Sequence, residues 1–175
     1  MKLSVLICGT FNRVRDGYSE KILSMLEPQL TEDVEVLYFV DNKKRSVGEK
    51  RNDLMNMAHG KYIVYVDDDD KVSDDYISVL LMLTSKNPDV AVFGVNCSVN
   101  GGSYKFVDYD AKHIRDYNTK EKYVRIPNHM MCWKKEICLP FPDKSFGEDQ
   151  DWAKSMLRKI KKQTILQVFL ERDLL

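Results

Sequence analysis

The chain has 175 residues, 43% of them hydrophobic and 31% charged, which is the balance of a globular protein rather than a disordered or fibrous one. Its 27 Lys+Arg offset 27 Asp+Glu, so no global charge points to nucleic acid or an anionic membrane as partner. No stretch approaches the roughly 18 apolar residues of a membrane span, and the apolar part of MKLSVLICGT is too short for a secretory signal. Cys8, Cys97, Cys132 and Cys138 are scattered without a CxxC pair, which leads us to expect reduced thiols in the cytoplasm.

Strand and helix patterns alternate along the first half. Residues 3–8 form a short apolar run ending in Gly9-Thr10, a strand and its loop. Residues 18–26 have helical spacing and stop near Pro28, and residues 34–40 are a second strand closed by Asp41-Asn42. Over 47–58 the positions Val47, Leu54, Met55 and Ala58 share one helical face, with Gly60 as the expected stop. Residues 62–66 are a third strand running into Asp67-Asp68-Asp69-Asp70. Ser73 is the expected N-cap of a helix whose inner face is Tyr76, Ile77, Leu80 and Leu81, and 89–97 holds a fourth apolar strand. This order predicts an α/β fold, a mainly parallel central sheet flanked by helices.

The second half is less regular. Asn100-Gly101-Gly102 signals a turn, with 104–109 as the returning strand. Residues 110–128, polar and Lys-rich, read as a loop, and 129–135 as another strand. A helix is expected over 148–161 with Trp152, Ala153, Met156, Leu157 and Ile160 on one side, then an edge strand over 164–170. No repeat or linker breaks the chain, so 1–175 reads as one domain, with 1–97 and 98–175 as its two halves.

Ligands of open parallel sheets bind outside the carboxyl ends of the strands. Thr10 and Asn12, then Asp41, then Asp67 to Asp70 occupy three such ends and would face one crevice. Adjacent carboxylates repel unless a cation sits among them. Alternate side chains point the same way, so Asp67 and Asp69 can converge on one hard divalent ion whose shell substrate phosphates complete. Asp74 and Asp75 read instead as ordinary acids at a helix start. The loop is no EF-hand, because Val72 stands where that motif needs glycine. Arg51, on the sheet-facing side of its helix, needs an anionic partner and either pairs with an aspartate or helps to hold a substrate phosphate. Glu148 and Asp149 follow Gly147 at a helix N-terminus, as capping acids or as a general base. His129 reads as a structural histidine, a metal ligand or a substrate contact, His59 as a helix cap, and Trp152 as core or a ring that stacks on a ligand. The basic run 158–162 reads as a solvated helix side, or with the Lys-rich 112–125 stretch as a site for an anionic ligand.

These residues carry a family resemblance. Leu3-Ser4-Val5-Leu6-Ile7 with Thr10-Phe11-Asn12-Arg13, then Arg51-Asn52, Ala58-His59-Gly60-Lys61-Tyr62-Ile63 and Val66-Asp67-Asp68-Asp69-Asp70 resemble the core of family 2 inverting glycosyltransferases of GT-A fold. Phe146-Gly147-Glu148-Asp149-Gln150-Asp151-Trp152 is similar to that family's acceptor-site motif. The resemblance implies a nucleotide-sugar donor, most often a UDP-sugar, bound by Thr10, Asn12, Arg13, Asp41, Arg51, Asp67 and Asp68. It implies Mn²⁺ or Mg²⁺ at Asp69 and Asp67, with His129 as a further candidate ligand, and Asp149 as base with Glu148 second. The acceptor stays open: a glycan, a small molecule or a hydroxylated DNA base. Two alternatives remain, a catalytically silent GT-A module that binds nucleotide or a protein partner, and a metal-dependent nucleotidyltransferase, although no glycine-rich phosphate loop is present. The chain departs from the family pattern at Asn42, where a second Asp is usual, and in a short segment between Asp41 and Arg51. It has no QxxRW motif, which argues against a processive polymer synthase, and its end soon after the 148–161 helix leads us to expect no large acceptor domain.

Overall fold

Strands that are apolar along their whole length need cover on both faces, and the sheet supplies it. The computed structural model describes residues 1–11, 17–98 and 102–170. Three parallel strands, β1 (Leu3–Thr10), β2 (Val34–Asp41) and β3 (Tyr62–Asp67), lie in the order β2-β1-β3. In β1, Leu3, Ser4, Val5, Leu6 and Ile7 are all inaccessible to solvent. Among the described residues four α-helices pack around the strands: α1 (Tyr18–Leu26), α2 (Val47–Met57), α3 (Tyr76–Thr84) and α4 (Glu148–Leu157).

The sheet continues through β8 (Cys132–Lys134), antiparallel to both β3 and β4 (Val90–Cys97). A strand from late in the chain therefore separates the third and fourth strands of the alternating series. Beyond β4 come β5 (Lys105–Tyr109), antiparallel to it, then β7 (Lys122–Arg125) and β6 (Tyr117–Asn118). β9 (Gln163–Leu170) pairs with β4 in parallel, with a register shift between Phe93 and Gly94. The centre is mainly parallel, as expected.

Local chemistry explains where the elements start and stop, and in four places differs from the sequence reading. Ser46 caps α2 through a capping box with Glu49. α3 begins at Tyr76 after Asp75, not at Ser73, whose hydroxyl donates to Asp75 Oδ1 at 2.7 Å. α2 closes in extended backbone at Ala58, so Gly60 does not stop it. A Cβ on Gly60 would stand 2.5 Å from the Ser4 amide, so glycine is needed there for close approach to β1. His59 reaches away from the helix, its Nδ1 lying 3.2 Å from Glu35 Oε2 on β2. Residues 110–128 are not all loop: Val124 and Ile126 are buried, and β7 pairs with β5 while the alternate side chains keep the segment polar. α4 ends at Leu157, before 161, because Asp89 Oδ2 accepts the amides of Lys161 and Lys162 and turns the chain into β9.

An aromatic wedge fixes α4 against the sheet. Trp152 is buried, its ring stacks on Phe141 at 4.5 Å and meets Trp133 edge-on at 5.2 Å, and its Nε1 donates to Leu139 O at 2.6 Å. Its role is packing. The segment just before α4 is pinned to α2: Asn52 exchanges two hydrogen bonds with the Phe141 backbone, at 2.9 and 2.7 Å. A Cβ on Gly48 would fall 1.9 Å from Pro142 O, so this contact admits only glycine.

Candidate active site

The parallel register aligns Thr10 with Asp41 across β1 and β2, and Cys8 with Asp67 across β1 and β3, so three polar strand ends share one edge. Behind them lies Lys50, almost wholly buried. Its Nζ donates to Gly9 O at 2.9 Å and Asp41 Oδ1 at 3.0 Å, and lies 3.5 Å from Thr10 Oγ1. A buried ammonium requires such partners. Burial raises the pKa of Asp41, but Lys50 and the amides of Lys43 and Arg45 outweigh it and hold the carboxyl below its usual range. Periodicity counted on apolar residues does not single out Lys50. Its spacing from Val47 and Leu54, three and four residues along the buried stripe, was the available signal.

The acidic run divides by alternation. Asp68 and Asp70 are buried: Asp68 Oδ2 accepts the Thr10 amide at 3.3 Å, and Asp70 Oδ2 accepts the Asp67 amide at 3.0 Å. Asp67 and Asp69 are half-buried on the cleft wall. Asp67 Oδ1 accepts from Arg51 Nη2 at 3.2 Å.

Arg51 joins the two halves of the site. Its guanidinium is buried between Asp67 and Glu148, whose Oε1 is 3.0 Å from Nη1, and it sits 5.7 and 5.5 Å from the Tyr65 and Phe141 ring centres. Burial works against its charge, yet Asp67 and Glu148 prevail and its pKa lies above the ordinary value. His129 occupies the next layer, with Nε2 3.5 Å from Asp67 Oδ2 and Nδ1 3.8 Å from Asp149 Oδ2. Among the described residues Nδ1 has no hydrogen-bond partner. Burial, then Arg51, lower the pKa of His129 against the pull of Asp67 and Asp149, so the ring is neutral at neutral pH.

These groups surround a cleft of about 670 Å³. Asp67, Asp68 and Asp69 line one side, and Glu148 and Asp149 enter from the start of α4. Glu148 is buried against Arg51, whereas Asp149 is half-buried and borders the opening. The candidates Thr10, Arg51, Asp67, Asp68, Asp69, His129, Glu148 and Asp149 all line this one space. Asp41, bonded to Lys50 at 3.0 Å, is not among the lining residues, and Asn12 and Arg13 lie outside the described residues.

Among the described residues no three His, Cys, Asp or Glu side chains are grouped to hold a metal ion. Asp67, Asp69 and His129 are therefore not a closed ligand set, because both His129 nitrogens face carboxylates. An all-oxygen pair, Asp69 with Asp67, still suits Mg²⁺ or Mn²⁺, which keeps open positions for substrate phosphates.

The sequence model of glycosyl transferase family 2 matches residues 14–141, well over half of the chain. The chain belongs to glycosyl transferase family 2. Solved structures agree on the fold of this family 2 chain. A crystal structure of S. aureus TarS 1–349 superposes with a TM-score of 0.71 at 16% identity, over 99% of this chain and 60% of that one. The same protein in complex with UDP-GlcNAc gives 0.73 at 16% identity, covering 99% and 58%, and in complex with UDP 0.73 at 15%, covering 99% and 61%. This family 2 chain thus has the GT-A architecture and spans about three-fifths of the TarS fragment, 60% in the first of these matches. No curated protein matches it. Among the described residues no helix is long and apolar enough to cross a membrane.

Proposed function

We propose that this chain moves a sugar from a UDP-sugar to an acceptor hydroxyl, with Mn²⁺ or Mg²⁺ as cofactor and inversion at the anomeric carbon. One observation carries the reading: the acidic end of β3 and the start of α4 meet across a single cleft, tied together by Arg51 through Asp67 at 3.2 Å and Glu148 at 3.0 Å. The UDP and UDP-GlcNAc complexes of TarS support the choice of donor.

In this reading residues 1–97 supply the donor wall and 98–175 the acceptor wall of one domain. Thr10 and Asp41 border the base, and Lys50 holds both in place. Asp69 and Asp67 would hold the cation, which neutralises charge developing on the diphosphate leaving group. Asp149 takes the proton of the acceptor hydroxyl as its oxygen attacks the anomeric carbon. The bond to the diphosphate breaks on the opposite face, and UDP leaves. One base and no sugar–enzyme bond give inversion. Glu148, committed to Arg51, positions the α4 start, and neutral His129, through its single N–H, orients Asp67. Four free cysteines support a reducing, cytoplasmic setting.

A thermal-shift panel of nucleoside diphosphates and nucleotide sugars, with and without Mn²⁺, tests the reading. Stabilisation confined to uridine nucleotides plus metal is the expected result. No shift with any nucleotide would contradict it.

A further inference from the structure

A second concavity, of about 740 Å³, adjoins the cleft. Gln150 lines both spaces and directly follows Asp149, so the groove opens beside the proposed base. One wall is a face of α4 and the turn after it, where Gln150, Lys154, Leu157 and Arg158 recur at helical spacing. The other is the 114–118 segment with Arg125 and Ile126.

The groove is basic although the chain as a whole is neutral. Arg115, Arg125, Lys154 and Arg158 line it against a single acid, Asp116, among the described lining residues. Asp116 Oδ1 already accepts the Ile126 amide at 2.9 Å. Arg125 is held by the carbonyls of Tyr117 and Val124 at 3.0 and 2.8 Å. Lys154 has only a loose contact with Asp151 at 3.9 Å, and Arg115 and Arg158 form no ion pair among the described residues. Exposed cations with no close carboxylate among the described residues are available to an anion. Ile114, 87% exposed, and Tyr117, 50% exposed, add apolar surface of the kind that packs on the C–H face of a sugar. Of the 158–162 run only Arg158 lines the groove, while Lys162 Nζ donates to Lys86 O elsewhere.

We infer that this groove binds the acceptor, and that the acceptor is a saccharide chain carrying anionic groups. Its anionic groups lie on Arg115, Lys154 and Arg158 while one hydroxyl reaches Asp149. The inference rests on the sugar-transfer reading of the adjoining cleft. Confined volume and a neutral chain favour this occupant over duplex DNA, which needs phosphate contacts spread along its backbone.

Calorimetric titration of the full chain tests it with three probes: a galacturonate oligomer, a malto-oligosaccharide of equal length, and a short DNA duplex. UDP with Mn²⁺ is titrated in parallel as a separate control. The galacturonate oligomer should bind best and weaken as salt rises. The double variant Arg115→Glu/Arg158→Glu should bind it on the order of tenfold more weakly, with melting temperature and UDP–Mn²⁺ affinity unchanged. Lys154→Ala, a milder change, should move it in the same direction. Equal binding of the neutral oligomer, tighter binding of the duplex, no binding of any probe, or an indifferent double variant would each overturn the inference. Failure of UDP–Mn²⁺ to bind alongside intact galacturonate binding would strike the transfer reading and leave the anionic groove standing.

Discussion

The cleft and the groove both hold several charges, but they hold them in opposite ways. Around the cleft Lys50, Arg51 and Glu148 are withdrawn from water, and their pairs with Asp41, Asp67 and each other close at 3.0–3.2 Å. In the groove Arg115, Lys154 and Arg158 are exposed, and among the described residues their one ion pair, Lys154 with Asp151, is 3.9 Å long. A buried charge that loses its partner is strongly destabilising, whereas exposed pairs contribute about 0–1 kcal/mol. Changes in the cleft network should therefore appear first in folding. Changes in the groove should appear only when a ligand arrives.

The sharpest way to break this contrast is Arg51→Met, which leaves Asp67 and Glu148 without their shared cation. Denaturant unfolding should show a loss of about 3–5 kcal/mol. A loss near zero would mean that the guanidinium does not organise the site.

Asp149→Asn sharpens the comparison from the other side, because Asp149 borders the cleft without belonging to its buried network. Turnover should fall by about 10²–10⁴-fold with melting temperature and donor affinity retained. Full activity would refute the assignment of the base.

Gly48→Ala probes the seam that carries the start of α4 to the acidic loop. Its Cβ would meet Pro142 O at 1.9 Å, so a cost of about 1–3 kcal/mol is expected by thermal or chemical unfolding. An unchanged midpoint would show that residues 141–144 are free to shift.

The smallest effect concerns pH. Burial holds the His129 pKa below its ordinary 6.5, so the unfolded chain takes up that proton at higher pH than the folded one. Stability from this group is complete above pH 6.5 and is lost as pH falls through the lowered pKa. His129→Asn should flatten that part of the stability–pH curve, and an unaltered slope would show that the imidazole is not held neutral.

Much of the donor side was legible because its signals are local. Apolar strands ending in Thr10, Asp41 and Asp67 state their own position on a parallel sheet, and Arg51 on an apolar face announced an acidic partner, which the structure supplies twice. What escaped depends on distant contacts. β8 has only three residues, and nothing in Cys132–Lys134 says that it will lie between β3 and β4. Lys50 was passed over because periodicity is counted on apolar residues, yet its ammonium reaches Gly9 O forty-one positions away in sequence. β7 was hidden by the polar alternate residues around buried Val124. The groove is formed by segments more than twenty residues apart, so its charge is visible only after folding.

The central claim is that the cleft transfers a sugar from a UDP-sugar with a divalent cation. Its most direct test is UDP release from a set of UDP-sugars, measured with Mn²⁺, after chelation by EDTA, and after Mn²⁺ is restored. The account predicts release with at least one UDP-sugar that stops on chelation, returns with metal, and is largely lost in Asp149→Asn. Release that ignores both EDTA and Asp149→Asn, or no release from any UDP-sugar, would contradict it.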